Sequence, residues 1–268
     1  MEKKKIELKN FEDEYLIKVQ GGKYVPSFAN ELKEVFDIEV CKYITTQLMW
    51  LEVMENNPSE VKGFYKPVET VSWWQALEFC NKLSEKYGLE PVYDLSRSKQ
   101  EILMIKELGK KIVSSDKANF KNTEGFRLPT EIEWEWFAKG GQKAIEQGTF
   151  EYKYSGSNNI DEVAWYLNNS DFKNTNISIK DVGLKKPNQL GLFDCSGNIW
   201  EWCYDTIGDI ENGKLYTYKA FEPYNIYRRI KGGSGGAYSA KSSLIISRSE
   251  TIATYSYKNF GFRFVRTI

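Results

Sequence analysis

The residues best suited to chemistry are gathered in Gly191-Leu-Phe-Asp-Cys-Ser-Gly-Asn-Ile-Trp-Glu-Trp202. This stretch packs two tryptophans, two carboxylates, an asparagine and two glycines into twelve residues. A plain core strand needs no such mixture, so a geometric task is expected of it. The rest of the chain narrows that task. There is no histidine, which excludes Ser-His-Asp and Cys-His catalysis, a facial-triad iron site and His-ligated zinc. Acid–base chemistry would have to use a perturbed carboxylate, lysine, tyrosine or cysteine. The four cysteines, Cys41, Cys80, Cys195 and Cys203, form no C-x-x-C pair, so zinc is not expected. Cys80 falls on an apolar helical face and reads as a buried thiol, while a bridge between Cys195 and Cys203 stays open. Gly232-Gly-Ser-Gly-Gly236 reads as a tight turn or bulge, with a phosphate-binding nest as the alternative. Arg127 and Arg263 lie inside apolar motifs. A buried guanidinium needs a partner, and a bidentate carboxylate supplies one economically.

These residues must be positioned by a globular fold. The chain is 41% hydrophobic and 15% aromatic, enough to bury a sizeable core and to exclude disorder. Its 37 basic and 37 acidic residues balance, which argues against nucleic acid as a partner. No apolar run is long enough to span a membrane, and Met1-Glu-Lys-Lys-Lys5 has no apolar region after it. The cytoplasm is the simplest address; a leader already removed would make the cell surface the alternative. Strands are expected between Ile6 and Phe28 around a Gly21-Gly22 turn. A helix is expected over Thr45–Met54, with Thr45 as N-cap. Ser72 and Gln75 make a capping box ahead of the stripe Ala76, Leu77, Cys80, Leu83 and Tyr87, and Gly88 stops that helix. Residues 96–122 read as a lysine-rich excursion with a short helix at Glu101–Lys110. Thr130 and Glu133 make a second capping box, and Gly140-Gly141 ends the helix it starts. Ile132 and Trp136 share one face of that helix. Trp73, Trp74, Trp134 and Trp136 read as core, not as a sugar platform. Strands are expected at Val163–Tyr166, Tyr227–Lys231 and Gly261–Val265, and a loop over Lys180–Gln189. No repeat or linker divides the chain, so residues 1–268 are read as one domain.

Five segments occur in order: Pro67-Val-Glu-Thr-Val-Ser-Trp73, Phe126-Arg-Leu-Pro-Thr-Glu-Ile-Glu-Trp134, Gly191–Trp202, Ile230-Lys-Gly-Gly-Ser234 and Phe260-Gly-Phe-Arg263. Together they resemble the formylglycine-generating enzyme, or sulfatase-modifying-factor, family over about residues 20–268. The resemblance implies an α+β, C-type-lectin-like fold with little regular secondary structure. Sulfatase-activating members carry two copper-binding cysteines shortly after Gly-Gly-Ser. Here Cys203 is the last cysteine in the chain, so neither is present. Members that form carbon–sulfur bonds use histidine-ligated iron, which this chain cannot build. No copper and no iron are therefore expected, and a catalytic role is disfavoured.

The pattern is more similar to a non-catalytic branch, the variable proteins of diversity-generating retroelements. By that resemblance Gly235–Phe260 is the ligand-binding surface, with Gly235, Tyr238, Ser239, Ser242, Thr251, Thr254, Tyr255, Tyr257 and Asn259 as candidate residues. A Tyr/Ser/Gly/Asn-rich surface also suits binding physically, because tyrosine offers rigid contact area with a polar tip. A protein or other surface ligand is the implied partner, and a general scaffold role is the alternative. The family usually has an aromatic where this chain has Gly235, so an anchor is lost and backbone freedom gained. The resemblance also implies a structural calcium held by the Asp194 and Glu201 side chains and the Gly197 and Ile199 carbonyls. The alternative for Glu201 is pairing with a backbone N–H or an arginine. Alternation places Trp200 and Trp202 on one face of an extended segment and Glu201 on the other.

Overall fold

The computed structural model describes residues 14–96, 103–109, 111–115, 118–171, 179–206, 227–236 and 240–268. Short strands come first: β1 (Leu16–Val19), β2 (Gly22–Tyr24), β3 (Lys33–Val35) and β4 (Ile38–Cys41). Helices Gln47–Met54 and Trp73–Lys86 follow, then β5 (Tyr93–Asp94), β6 (Met104–Glu107) and β7 (Lys111–Ser114). Helices Glu131–Ala138, Gly141–Glu146 and Ile160–Val163 precede β8 (Trp200–Thr206) and β9 (Tyr227–Lys231). The chain closes with β10 (Ser249–Ile252), β11 (Phe260–Phe262) and β12 (Val265–Thr267). Among the described residues four small sheets result, ordered β1-β4-β12, β10-β9-β8-β11, β2-β3 and β5-β6-β7. The α+β class with little regular structure is as the sequence implied.

Local chemistry sets the helices. Ser72 and Gln75, and likewise Thr130 and Glu133, exchange the two bonds of a capping box. The Glu131–Ala138 helix is buried on every side, so its three glutamates must be neutralised by other segments. One core cluster gathers Trp50, Phe79, Phe126, Trp202, Phe262 and Phe264 around the Trp73–Lys86 helix. A second gathers Val19, Tyr24, Trp134, Trp136 and Val265 around the Glu131–Ala138 helix. The aromatic content thus becomes packed core, as the tryptophan reading expected.

Several local expectations are corrected. Thr46, not Thr45, caps the first helix, its side chain accepting from Met49 N. Thr45 is still in extended pairing, donating to Phe262 O and accepting from Val68 N. The helix expected within 101–110 is replaced at Met104–Glu107 by a central strand: β6 pairs with both β5 and β7. Ile105 and Glu107 are buried in alternation with Met104 and Lys106, a period of two that a short window cannot separate from a helical one. Val163–Tyr166 is not a strand. Ile160–Val163 is a single helical turn capped by Asn159, and Trp165 makes one isolated bridge to Gly197. The last strand is broken: β11 joins β8 in one sheet and β12 joins β4 in another. Arg263 and Phe264 lie at the crossing, where Phe264 O accepts Cys41 N.

Candidate functional site

Glu201 stands on β8 beside Gly261 of the parallel strand β11. A Cβ at Gly261 would come within 2.4 Å of Val68 O, so glycine is required for that approach. Glu201 is fully buried and spends both oxygens on protein partners. Its Oε2 accepts from Trp134 Nε1 at 3.0 Å and from Arg263 Nε at 3.1 Å, and its Oε1 accepts from Arg263 Nη2 at 3.0 Å. The remaining Arg263 donors reach Cys41 O, Lys42 O and Phe193 O at 2.9, 3.0 and 2.6 Å. Trp202 points the other way, into the core, with Nε1 donating to Val71 O at 2.8 Å. Arg127 behaves as its surroundings required: Glu133 accepts both of its Nη donors at 2.7 Å.

The loop ahead of β8 bends through left-handed backbone at Gly191, Asp194, Gly197 and Asn198. A Cβ at Gly197 would lie 2.3 Å from Trp165 O, which forces glycine there. This loop holds the Gly-rich tip that follows β9. Gly197 N donates to Gly232 O at 2.7 Å, and Gly235 N donates to Asn198 O at 2.8 Å. Ser170 Oγ donates to Gly235 O at 2.6 Å.

Among the four implied calcium ligands, Asp194 fits a cation best. It is buried, its Oδ2 accepts from Gly183 N at 2.8 Å, and its Oδ1 has no hydrogen-bond partner. Burial, with Glu201 adding to it, pushes its carboxyl up to about 6 against the opposing pull of Arg263. A cation would relieve that unsatisfied oxygen. Glu201 instead takes the arginine partner that the sequence left open. Gly197 and Ile199 are both buried. Among the described residues no three His, Cys, Asp or Glu groups converge as a metal site, so a cation here would depend on carbonyl oxygens as well.

The candidate surface residues fall in different places. Tyr238 and Ser239 lie outside the described residues. Gly235 is buried, with its amide and carbonyl both engaged. Ser242 lies on the 3-10 turn Ala240–Ser243, which packs beneath Gly233. Thr251 sits on β10 opposite Arg228, and Thr254 follows that strand. Tyr255, Tyr257 and Asn259 come together. The two tyrosine rings stack at 6.0 Å and 10°, are about half exposed, and rest on Phe260 at 5.8 and 6.2 Å. Phe260 in turn meets Trp202 at 5.6 Å. Asn259 Nδ2 donates to Ser234 Oγ at 3.3 Å, while its buried Oδ1 has no partner. The platform therefore sits directly on the strand pair that buries Glu201.

A buried ionic cluster was not foreseen. Glu131 and Glu135 of the all-buried helix face Arg229, Lys231 and Arg248. Glu131 N donates to Asp205 Oδ2 at 2.6 Å. The signal was present in Glu131-Ile-Glu-Trp-Glu-Trp136, where carboxylates alternate with apolar residues, and in the cations of Arg228-Arg-Ile-Lys231.

The profile of the Sulfatase-modifying factor enzyme 1-like domain matches residues 10–268. The chain belongs to the formylglycine-generating enzyme family. Chaperone protein LppX of Paenibacillus barcinonensis is 36% identical over 239 residues, 81% of this chain and 77% of that protein. A formylglycine-generating enzyme of Streptomyces coelicolor is 28% identical over 158 residues, 56% of this chain and 49% of the enzyme. The solved structure of Treponema denticola variable protein 1 matches with a TM-score of 0.72 at 30% identity, covering 94% of this chain and 95% of that one. The family and the branch that the sequence resembled are therefore both represented among its relatives.

Cys41, Cys80, Cys195 and Cys203 are all free and buried, so the bridge left open between Cys195 and Cys203 is not formed. Burial pushes the Cys41 and Cys195 thiols up to about 12, and raises Cys80 and Cys203 as well. Reactive cysteines are exposed and low in pKa; these are the reverse. Among the described residues no helix is long and apolar enough to cross a membrane.

Proposed function

We propose that this chain is a non-catalytic binding member of the formylglycine-generating enzyme family, and that it takes a polypeptide on the Tyr255–Tyr257–Asn259 surface. One observation carries the reading. Beside the Gly-Gly-Ser tip, where enzymes of the family place reactive thiols, this chain presents a stacked, half-exposed tyrosine pair. Rigid aromatic area backed by Phe260 costs little side-chain entropy on binding, and each tyrosine adds a polar tip. A polypeptide is favoured as ligand by the likeness to a protein named as a chaperone. A second reading, a diversified display surface, is favoured by the likeness to Treponema denticola variable protein 1. Calcium at Asp194, with the Gly197 and Ile199 carbonyls, is proposed as a structural support of the loop that carries the tip; Glu201 would join it only by releasing Arg263.

The test uses carboxymethylated α-lactalbumin, a permanently unfolded polypeptide, followed by fluorescence anisotropy. Wild type is expected to bind it, and Tyr255→Ala with Tyr257→Ala is expected to lose binding at an unchanged melting temperature. No binding by wild type would remove the polypeptide reading. Oxidation of a cysteine peptide by the copper-loaded protein would remove the non-catalytic one. A near-identical template repeat downstream of the coding region, with a reverse transcriptase gene, would establish the second reading.

A further inference from the structure

The two arms of the Gly-rich tip meet at one carboxylate. Strand β9 leads into the tip and carries Arg229 and Lys231; Arg248 stands at the start of the arm that leaves it. Glu131 Oε1 accepts from Arg248 Nε at 2.6 Å and Oε2 from Arg248 Nη2 at 2.8 Å. Arg229 Nε lies 3.6 Å from Glu131 Oε2, and Lys231 Nζ lies 3.8 Å from Glu131 Oε1. The Lys231 side chain is wholly buried and makes no hydrogen bond. Its charge is met by Glu131, by Glu135 at 3.9 Å and by the Trp134 ring at 5.3 Å. Glu135 is already engaged by Ser27 N and Oγ at 2.7 and 2.6 Å, which leaves Glu131 as the carboxylate shared by all three cations.

The β9–β10 ladder ties the two arms to each other, pairing Ile230 with Ser249 and Arg229 with Glu250. It does not tie them to the core helix. We infer that Glu131 is a positioning residue, a clasp that fixes both arms of the 232–247 tip to the Glu131–Ala138 helix and so sets the orientation of the surface that follows. Its place favours the task. It stands in the first turn of that helix, where the helix dipole stabilises an anion, and its backbone N–H is held by Asp205. A buried carboxylate facing several cations is also the arrangement in which removing one partner leaves the others uncompensated. Without Glu131, Arg229 keeps only its pairing with Glu250 on the neighbouring arm, Lys231 keeps only Glu135 at 3.9 Å and Arg248 loses its fork, so the arms lose their attachment to the helix and are drawn toward water.

Hydrogen exchange read by peptide mass spectrometry tests the clasp with no ligand present. Glu131→Gln is expected to speed exchange about tenfold or more across 227–236 and 240–252, while β1 and β4 keep wild-type rates. Unchanged exchange across both arms would overturn the inference, and so would a uniform rise over the whole chain, which would mark a merely structural residue. If Glu131→Gln does not fold, Arg248→Met decides: its side chain is partly exposed, and a rise confined to the arms is expected. The bearing of the clasp on recognition rests on the proposed function. Loss of α-lactalbumin binding by Glu131→Gln would join the two, whereas altered exchange in a wild type that binds no polypeptide would leave the clasp standing and remove only that reading.

Discussion

Replacing Glu201 by alanine tests the account of the central strand. The change removes the carboxylate bonded to Arg263, whose side chain is fully buried. Three carbonyl acceptors, Cys41 O, Lys42 O and Phe193 O, would remain around the guanidinium. They satisfy donors without neutralising charge. An uncompensated buried charge of this kind costs about 3–5 kcal/mol, and the orphaned Trp134 indole N–H adds about 1–3 kcal/mol. The two losses overlap, so a net destabilisation of about 4 kcal/mol is expected. At about 2–4 °C per kcal/mol for a chain near this size, the melting temperature should fall by roughly 8–16 °C. Scanning calorimetry and urea unfolding at pH 7 would measure it. Glu201→Met with Arg263→Met should cost less than the two single changes together, because replacing a buried ion pair by apolar groups is often neutral. A Glu201→Ala protein within about 1 kcal/mol of wild type would refute the argument, since Arg263 would then have its compensation elsewhere.

Two further outcomes follow from the carboxylates. Burial first, and then the Glu131 charge, push Asp205 from its ordinary value near 3.8 up to about 7. A raised carboxyl favours the protonated native state, so stability is greatest below the unfolded value and falls as pH rises through about 7. The loss is bounded by about 4 kcal/mol and reduced because Asp205 is partly exposed. Asp205→Asn should flatten this dependence in melting curves taken between about pH 4 and pH 8; parallel curves for the two proteins would exclude it. For the proposed calcium, EDTA should lower the melting temperature of wild type, and Asp194→Asn should abolish that sensitivity. A wild type indifferent to both EDTA and added calcium removes the ion from the loop.

Much of this molecule was legible from short range. The capping boxes at Ser72 and Thr130 and the stop at Gly88 depend on groups within a few residues of one another, so local sequence determines them; Trp134 and Trp136 read as core from their apolar motif, although the ring N–H groups find Glu201 and Gln20 far along the chain. The requirement that Arg127 and Arg263 find carboxylates was also legible, because a buried guanidinium has no alternative. The ordered motifs carried the family and the fold class. What the sequence by itself could not decide was which groups meet across the chain. Glu201 suited a cation and an arginine equally well, and the choice of Arg263, 62 residues away, is made by the parallel register of β8 and β11. The chain changes sheets at Arg263 for the same reason: the break between Phe262 and Val265 is set by two separate sets of strand partners, not by local preference. Glu131, Lys231 and Arg248 come from three distant segments, each unremarkable alone. Only the tertiary structure brings them to one point, because hydrophobic burial of the Glu131–Ala138 helix on all sides forces its charges to be answered by whichever strands pack against it.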